Sequence, residues 1–313
     1  MDELETILTL MKLPGVGPAR LRRALETMAQ ARIPIEEAFS EAGRRLLTSL
    51  GLSSASPRSA IGSVVDRLRR DDVQCVVTLA EDLPVFARKH LPPVLFVRGS
   101  RKLLATRSVG FCGSRAATER GLGVAADISE QSANAGFNVV SGGAKGVDIT
   151  AHRTALTSGG TTTVVLAEGI LGYRMREELR DVFDRERALI VSEFFPDDRW
   201  LAGRAMQRNR TICALSRALV LIEARSTGGT FAAGEAALDM DLPLFTADYS
   251  AQHEGNDGNR ILLERGAVPL RQSRSTGKAN LSELFEAVRR EDTTTNDRDH
   301  REGLAEQQDL FSR

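Results

Sequence analysis

Hydrophobic and polar positions change period twice along the chain. Residues 1–70 repeat Leu, Ala and Arg at helical spacing, with a Ser/Pro break at Ser53–Pro57 before a further helix over 59–70. From Val73 the apolar residues fall in short runs. Val73–Leu79 reads as a strand, and Leu91–Gly99 as an extended segment, because Pro92 and Pro93 cannot sit inside a helix. Six more runs follow, at Val109–Cys112, Phe137–Val140, Thr163–Leu166, Leu189–Val191, Leu219–Ile222 and Leu244–Phe245. Helical stretches separate them at 117–135, 147–157, 175–185, 204–215, 230–239 and 256–265. Continuous apolar strands joined by helices predict a doubly wound, mostly parallel α/β sheet of Rossmann-like type. Ligands of such a sheet bind at the carboxyl ends of its strands. The predicted organisation is a helical segment (1–70), an α/β domain (71–290) and an acidic tail (291–313) that reads as disordered.

Within the first segment, Leu13-Pro14-Gly15-Val16-Gly17-Pro18-Ala19-Arg20-Leu21 places two glycines in a tight turn between helices. The turn resembles the hairpin of helix-hairpin-helix DNA-binding modules. An ordinary turn between two helices fits the same residues, and both readings stand.

Composition narrows the chemistry. The 313 residues hold 42 basic and 42 acidic side chains, so any affinity for a polyanion must be local. Three scattered cysteines (75, 112, 213) and four histidines form no metal-ligand spacing, so neither a metal nor another cofactor is expected. No apolar run reaches membrane-spanning length and the N-terminus lacks a cationic signal start, which predicts a cytoplasmic protein without a membrane partner.

Four polar loops at strand ends carry the candidate chemistry. Gly113-Ser114-Arg115 lies between a strand and a helix, where backbone amides and a guanidinium suit a phosphate. Ser141-Gly142-Gly143-Ala144-Lys145 brings three features together: glycines for close backbone approach, a hydroxyl, and one of only five lysines. Asp148 and His152, one helical turn apart, suggest acid–base work, but they lack a nucleophile or metal, and a structural hydrogen-bonded histidine fits better. Arg199–Arg217 holds five arginines and no acid, including Arg208-Asn209-Arg210, beside Trp200, Phe194 and Phe195. Aromatics among arginines supply base stacking plus phosphate contact, or else are core residues with some of the arginines in salt bridges. Gly228-Gly229-Thr230 forms the fourth loop. No GxxxxGK[ST] run is present, so an ATP motor is not expected.

These landmarks, in order and spacing, resemble the DNA-processing protein A (DprA/Smf) family. The similarity covers about residues 75–270. It runs through Pro92-Pro93-Val94-Leu95-Phe96, Gly113-Ser114-Arg115, Ser141-Gly142-Gly143-Ala144, Gly146-Val147-Asp148 with Ala151-His152, Ser192-Glu193, Arg208-Asn209-Arg210, Leu215-Ser216, Glu223-Ala224, and Gly258-Asn259 before Gly266-Ala267. The resemblance implies a non-enzymatic protein that binds single-stranded DNA in a basic pocket. It also implies a homodimer that helps load the RecA recombinase during natural transformation or recombinational repair. By motif, Arg115 is carried over as a phosphate ligand and Arg208 and Arg210 as the basic part of their element; Lys145 is assigned from loop position and charge. Three places depart from the family pattern: Tyr173-Arg174 where Tyr-Pro is usual, Gly228-Gly229-Thr230 with Ala233 for a Ser-Gly-Ser/Thr segment, and Thr246-Ala247-Asp248 for a Pro-Gly.

The tail's Gln307-Gln308-Asp309-Leu310-Phe311 looks like the short peptide that docks repair proteins on the replication sliding clamp, with Leu310 and Phe311 filling an apolar pocket. A second class of function competes: Gly228-Gly229-Thr230 with Glu235 loosely resembles a nucleotide phosphoribohydrolase element, which implies a nucleotide-binding enzyme or sensor.

Overall fold

The computed structural model describes residues 1–52, 61–79, 83, 89–248, 257–273 and 275–290. Four helices come first: α1 (Glu3–Lys12), α2 (Pro18–Gln30), α3 (Glu41–Ser49) and α4 (Gly62–Arg70). Asp2 caps α1, its carboxylate accepting from the Glu5 amide at 2.8 Å. Between α1 and α2 the chain turns through Gly15 at φ +74°, and Pro18 opens α2 where its missing N–H leaves no helical bond unmade. Arg20 folds back to donate to the Gly15 carbonyl at 3.2 Å. The inward faces of these helices bury Ile7, Leu8, Leu10, Leu25, Met28 and Leu47 in one core with Val94, Phe96, Val164 and Ile190 of the sheet. The helical segment therefore covers one face of the sheet, and an Arg67–Asp197 ion pair of 2.6 Å ties its edge to the α/β part.

The sheet has nine strands: β1 (Gln74–Val77), β2 (Val94–Gly99), β3 (Ser108–Gly113), β4 (Asn138–Ser141), β5 (Thr162–Val165), β6 (Ala188–Ser192), β7 (Ala218–Ile222), β8 (Leu244–Ala247) and β9 (Val268–Leu270). Their order is β1-β2-β6-β5-β4-β3-β7-β8-β9. Strands β3 to β9 run parallel, and the β1–β2 hairpin joins antiparallel along β6. The fold is a Rossmann-like α/β fold. Strands β4, β5, β6 and β7 are buried at every position, as strands covered on both faces must be.

The connecting helices are α5 (Glu119–Asn134), α6 (Val147–Thr157), α7 (Glu177–Arg180), α8 (Ala202–Ala214), α9 (Gly229–Asp239), α10 (Asp257–Glu264) and α11 (Ser282–Arg289). Four elements differ from the sequence expectation. The helix expected over 175–185 is the single turn α7, preceded by Arg176 in an extended conformation. Arg153 of α6 pins this segment, donating to both Asp181 oxygens at 2.6 and 2.8 Å and to the Glu178 carbonyl at 2.6 Å. The extended segment after Pro92-Pro93 is a strand, β2. Strand β9 and helix α11 were not anticipated. Pro269 within β9 is tolerated because β9 is the sheet's edge strand.

Candidate functional site

The chain leaves β3 toward β4 on one side and returns through β7 on the other, so β3 and β7 flank the topological switch point. Beside it, at the carboxyl ends of β3 to β6, lies a cleft of about 1300 Å³. Arg115, Lys145, Arg208 and Trp200 line it, and residues 173–178 with Arg180 and Asp181 form a further wall.

Two of the expected cations are poised for a ligand. Arg115 and Lys145 are exposed, and among the described residues neither makes an ion pair or hydrogen bond. The Arg115 guanidinium carbon lies 5.9 Å from the centroid of Trp200, which is 48% exposed. This stacks a cation on an aromatic ring and leaves the rest of the ring open.

Arg208 is different. It is only 7% exposed, donates through Nη1 to the Val165 carbonyl at 3.1 Å, and lies 3.9 Å from the buried Asp148 carboxylate. Among the described residues its buried Nε has no partner. Gly142 makes room for it, since a Cβ there would overlap the guanidinium. Burial pushes the Asp148 carboxyl up, opposed by Arg208, the Ala144 amide and Ser141. Arg208 is thus the floor of the cleft, held by internal partners.

The loop glycines and hydroxyls serve architecture first. Gly113 packs against Val147, where a Cβ would collide. The Ser114 hydroxyl accepts from the Ala116 amide at 3.1 Å, within its own turn. Buried Ser141 donates to the Phe111 carbonyl at 2.7 Å. Asn209 reaches across to donate to the Gly229 carbonyl at 2.9 Å, coupling α8 to the Gly228-Gly229-Thr230 loop, whose residues lie outside the cleft lining.

Arg210 is also outside the lining. Two residues along an α-helix rotate a side chain by about 200°, so Arg208 and Arg210 cannot share a face. Arg210 is exposed, and its charge helps to lower the pKa of His90, after burial and Lys89. The expected convergence of Arg115, Lys145, Arg208 and Arg210 is therefore corrected to the first three, with Arg208 buried. Arg204, another arginine of that run, is taken up by Asp198 at 2.7 Å.

His152 is fully buried, 2.6 Å from the Thr162 hydroxyl through Nδ1 and 2.6 Å from the Gly142 carbonyl through Nε2. A carbonyl only accepts, so Nε2 carries the proton. Burial holds its pKa down to about 4, which makes it a neutral structural group locking the glycine loop to β5. Glu235, the acid of the hydrolase reading, lies on α9, ion-paired to Arg265 at 2.7 Å and outside the cleft lining.

The sequence reading missed the far wall. Arg174 and Arg180 are exposed on it and unpaired among the described residues, while Arg176 donates to the Gly143 carbonyl at 2.7 Å. The run RMREELR has the alternating charge of a solvated helix, which concealed it. Among the described residues no His/Cys/Asp/Glu group could hold a metal, and no helix is long and apolar enough to cross a membrane. Gln307, Asp309, Leu310 and Phe311 lie outside the described residues.

A family model described as DNA recombination-mediator protein A matches residues 76–279. The chain belongs to this family. Among curated members of the recombination-mediator protein A family, DNA processing protein DprA of Streptococcus pneumoniae is 30% identical over 178 residues, 56% of this chain and 62% of that protein. The putative DprA of Mycobacterium tuberculosis is 38% identical over 183 residues, 57% of this chain and 46% of that one. The chain thus spans about half to three-fifths of the length of these relatives. Among solved members, DprA of S. pneumoniae shares the fold with a TM-score of 0.68 over 86% of this chain and 95% of that chain, at 22% identity. DprA of Helicobacter pylori, whose structure concerns a single-stranded DNA binding mode, aligns with a TM-score of 0.54 at 27% identity, over 63% of this chain and 90% of that chain.

Proposed function

We propose that the cleft binds single-stranded DNA, and that the protein acts without a catalytic step of its own as a mediator in DNA uptake and recombination. One observation carries this reading. Arg115, Lys145, Arg174 and Arg180 surround a single cleft, unpaired by any carboxylate among the described residues, with an open Trp200 ring beside Arg115. Cations supply phosphate contacts of any sequence, and an open ring rewards the face of an unstacked base. A duplex offers phosphates but no free base face. The single-stranded DNA binding mode described for the H. pylori relative supports the same choice.

The finer parts of the proposal are help in loading RecA onto the bound strand, assembly as a homodimer, and docking on the sliding clamp through Gln307, Asp309, Leu310 and Phe311. Capture of purified clamp by the full chain, lost in Leu310→Ala/Phe311→Ala, is the expected result for the last of these.

The cleft itself is tested by anisotropy of a labelled single-stranded oligonucleotide. Arg115→Glu and Lys145→Glu should each weaken binding by about tenfold or more, because each removes a charge-assisted contact and adds repulsion. Unchanged affinity in both would remove the reading.

A further inference from the structure

The cleft does not account for the outward face of α8. Helix α8 buries Arg208, Ile212 and Cys213 on its inner side. Gly203, Met206 and Arg210 recur at i, i+3 and i+7, so they form one stripe. That stripe is open: Met206 is 55% exposed, Arg210 is exposed, and a Cβ at Gly203 would meet nothing within 4 Å. Trp200 and Leu201 stand at its start, and together with Met206 they are the large exposed apolar side chains among the described residues apart from Met1. At its far end Arg210 makes no ion pair or hydrogen bond among the described residues. Its charge and that of Lys89 both act on His90, with Asp241 as the opposing acid. The His90 pKa is lowered by burial first and then by these two cations, as a crowd of like charges requires.

We infer that this stripe is a second binding surface, a track from Trp200 over Met206 to Arg210 that receives single-stranded DNA leaving the cleft. The inference rests on the cleft reading and extends it. Two features commit the stripe to nucleic acid. It is continuous with the cleft, because Trp200 lines the cleft and begins the stripe. It also joins the apolar surface of Trp200, Leu201 and Met206 to the unpaired cation of Arg210, the pairing that suits unstacked bases and their phosphates. Ten residues of mostly helical rise span about 15 Å. At ~3.4 Å per stacked nucleotide that is room for roughly four nucleotides beyond those in the cleft.

The track makes a length-dependent prediction that the cleft alone does not. Dissociation constants are measured for oligothymidylates of about six and about twenty nucleotides against the wild type, Met206→Ser, Arg210→Glu and Arg115→Glu. Both track residues are exposed, so the fold should tolerate their replacement. The short strand should bind Arg210→Glu within about twofold of wild type, and the long strand about tenfold more weakly, with a smaller loss of the same kind in Met206→Ser. Arg115→Glu should weaken both lengths. Equal losses at both lengths in Arg210→Glu, or none at either, would overturn the track. Failure of the wild type to bind either strand would instead overturn the cleft reading. If sedimentation shows that Met206→Ser and Arg210→Glu break a dimer while leaving the length dependence intact, the stripe is an interface between copies and the inference is wrong.

Discussion

Replacing Arg208 by methionine should destabilise the protein by about 3–5 kcal/mol, far more than any exchange of an exposed cleft arginine. Methionine fills most of the volume but leaves the Asp148 carboxylate buried without its counter-charge, and frees the Val165 carbonyl. The carboxylate would keep the Ala144 amide at 3.2 Å, which offsets part of the cost. Denaturant unfolding of four proteins checks this: wild type, Arg208→Met, Arg208→Met/Asp148→Asn and Arg115→Ala. The double variant should recover a substantial part of the loss, because the neutral amide needs no counter-charge. Arg115→Ala should unfold with the wild type. An Arg208→Met protein as stable as wild type would show that the buried pair does not hold the floor of the cleft. The point matters for function, since lost DNA binding in Arg208 variants would otherwise be misread as a lost phosphate contact.

Mild acid should also weaken the fold, through His152. Its pKa falls from 6.5 in the unfolded chain to about 4 in the native state. The native ring therefore stays neutral while the unfolded chain takes up a proton. This contribution is intact above about pH 6.5 and is lost progressively as pH falls toward 4, with an upper size of about 3 kcal/mol. Asp148 and Glu193, whose carboxyl pKa values burial raises, act in the opposite sense: the native state binds their protons more readily, so they favour folding as the pH falls. Comparison with His152→Gln isolates the histidine. Between about pH 7 and pH 4.5 the wild type should lose stability faster than the variant. Parallel curves would mean that burial does not hold the ring neutral in the native state.

Much of the fold was legible because the two-sided parallel sheet leaves a strong trace. Val109–Cys112 and Leu219–Ile222 are unbroken apolar runs, and both prove buried at every position. The glycine loops after β3 and β4 were visible for a similar reason, since Gly113 against Val147, Gly142 against Arg208 and Gly146 at φ +78° need the freedom of a missing Cβ. What these two loops do with their glycines was not legible. Their space is filled by Val147 and Arg208, side chains from distant positions, so residues that suggested anion binding turn out to support the residues that face it. The arginine-rich run shows the same limit. Composition located the positive charge, but helix phase sends Arg208 inward and Arg210 outward, while Asp198 takes Arg204. The wall bearing Arg174 and Arg180 was hidden because its path is set by a contact distant in sequence, Arg153 with Asp181, and not by its own helical pattern.

The central claim is that free cations in the cleft hold the phosphates of an unpaired strand. Its most direct test is the affinity of the wild-type protein for one short single-stranded oligonucleotide and its duplex across a range of salt. With three or four phosphates met by Arg115, Lys145, Arg174 and Arg180, log K should fall against log salt with a slope of about −2 to −3, and the single strand should bind more tightly than the duplex throughout. A flat salt response, or a duplex bound as tightly as the single strand, would contradict it.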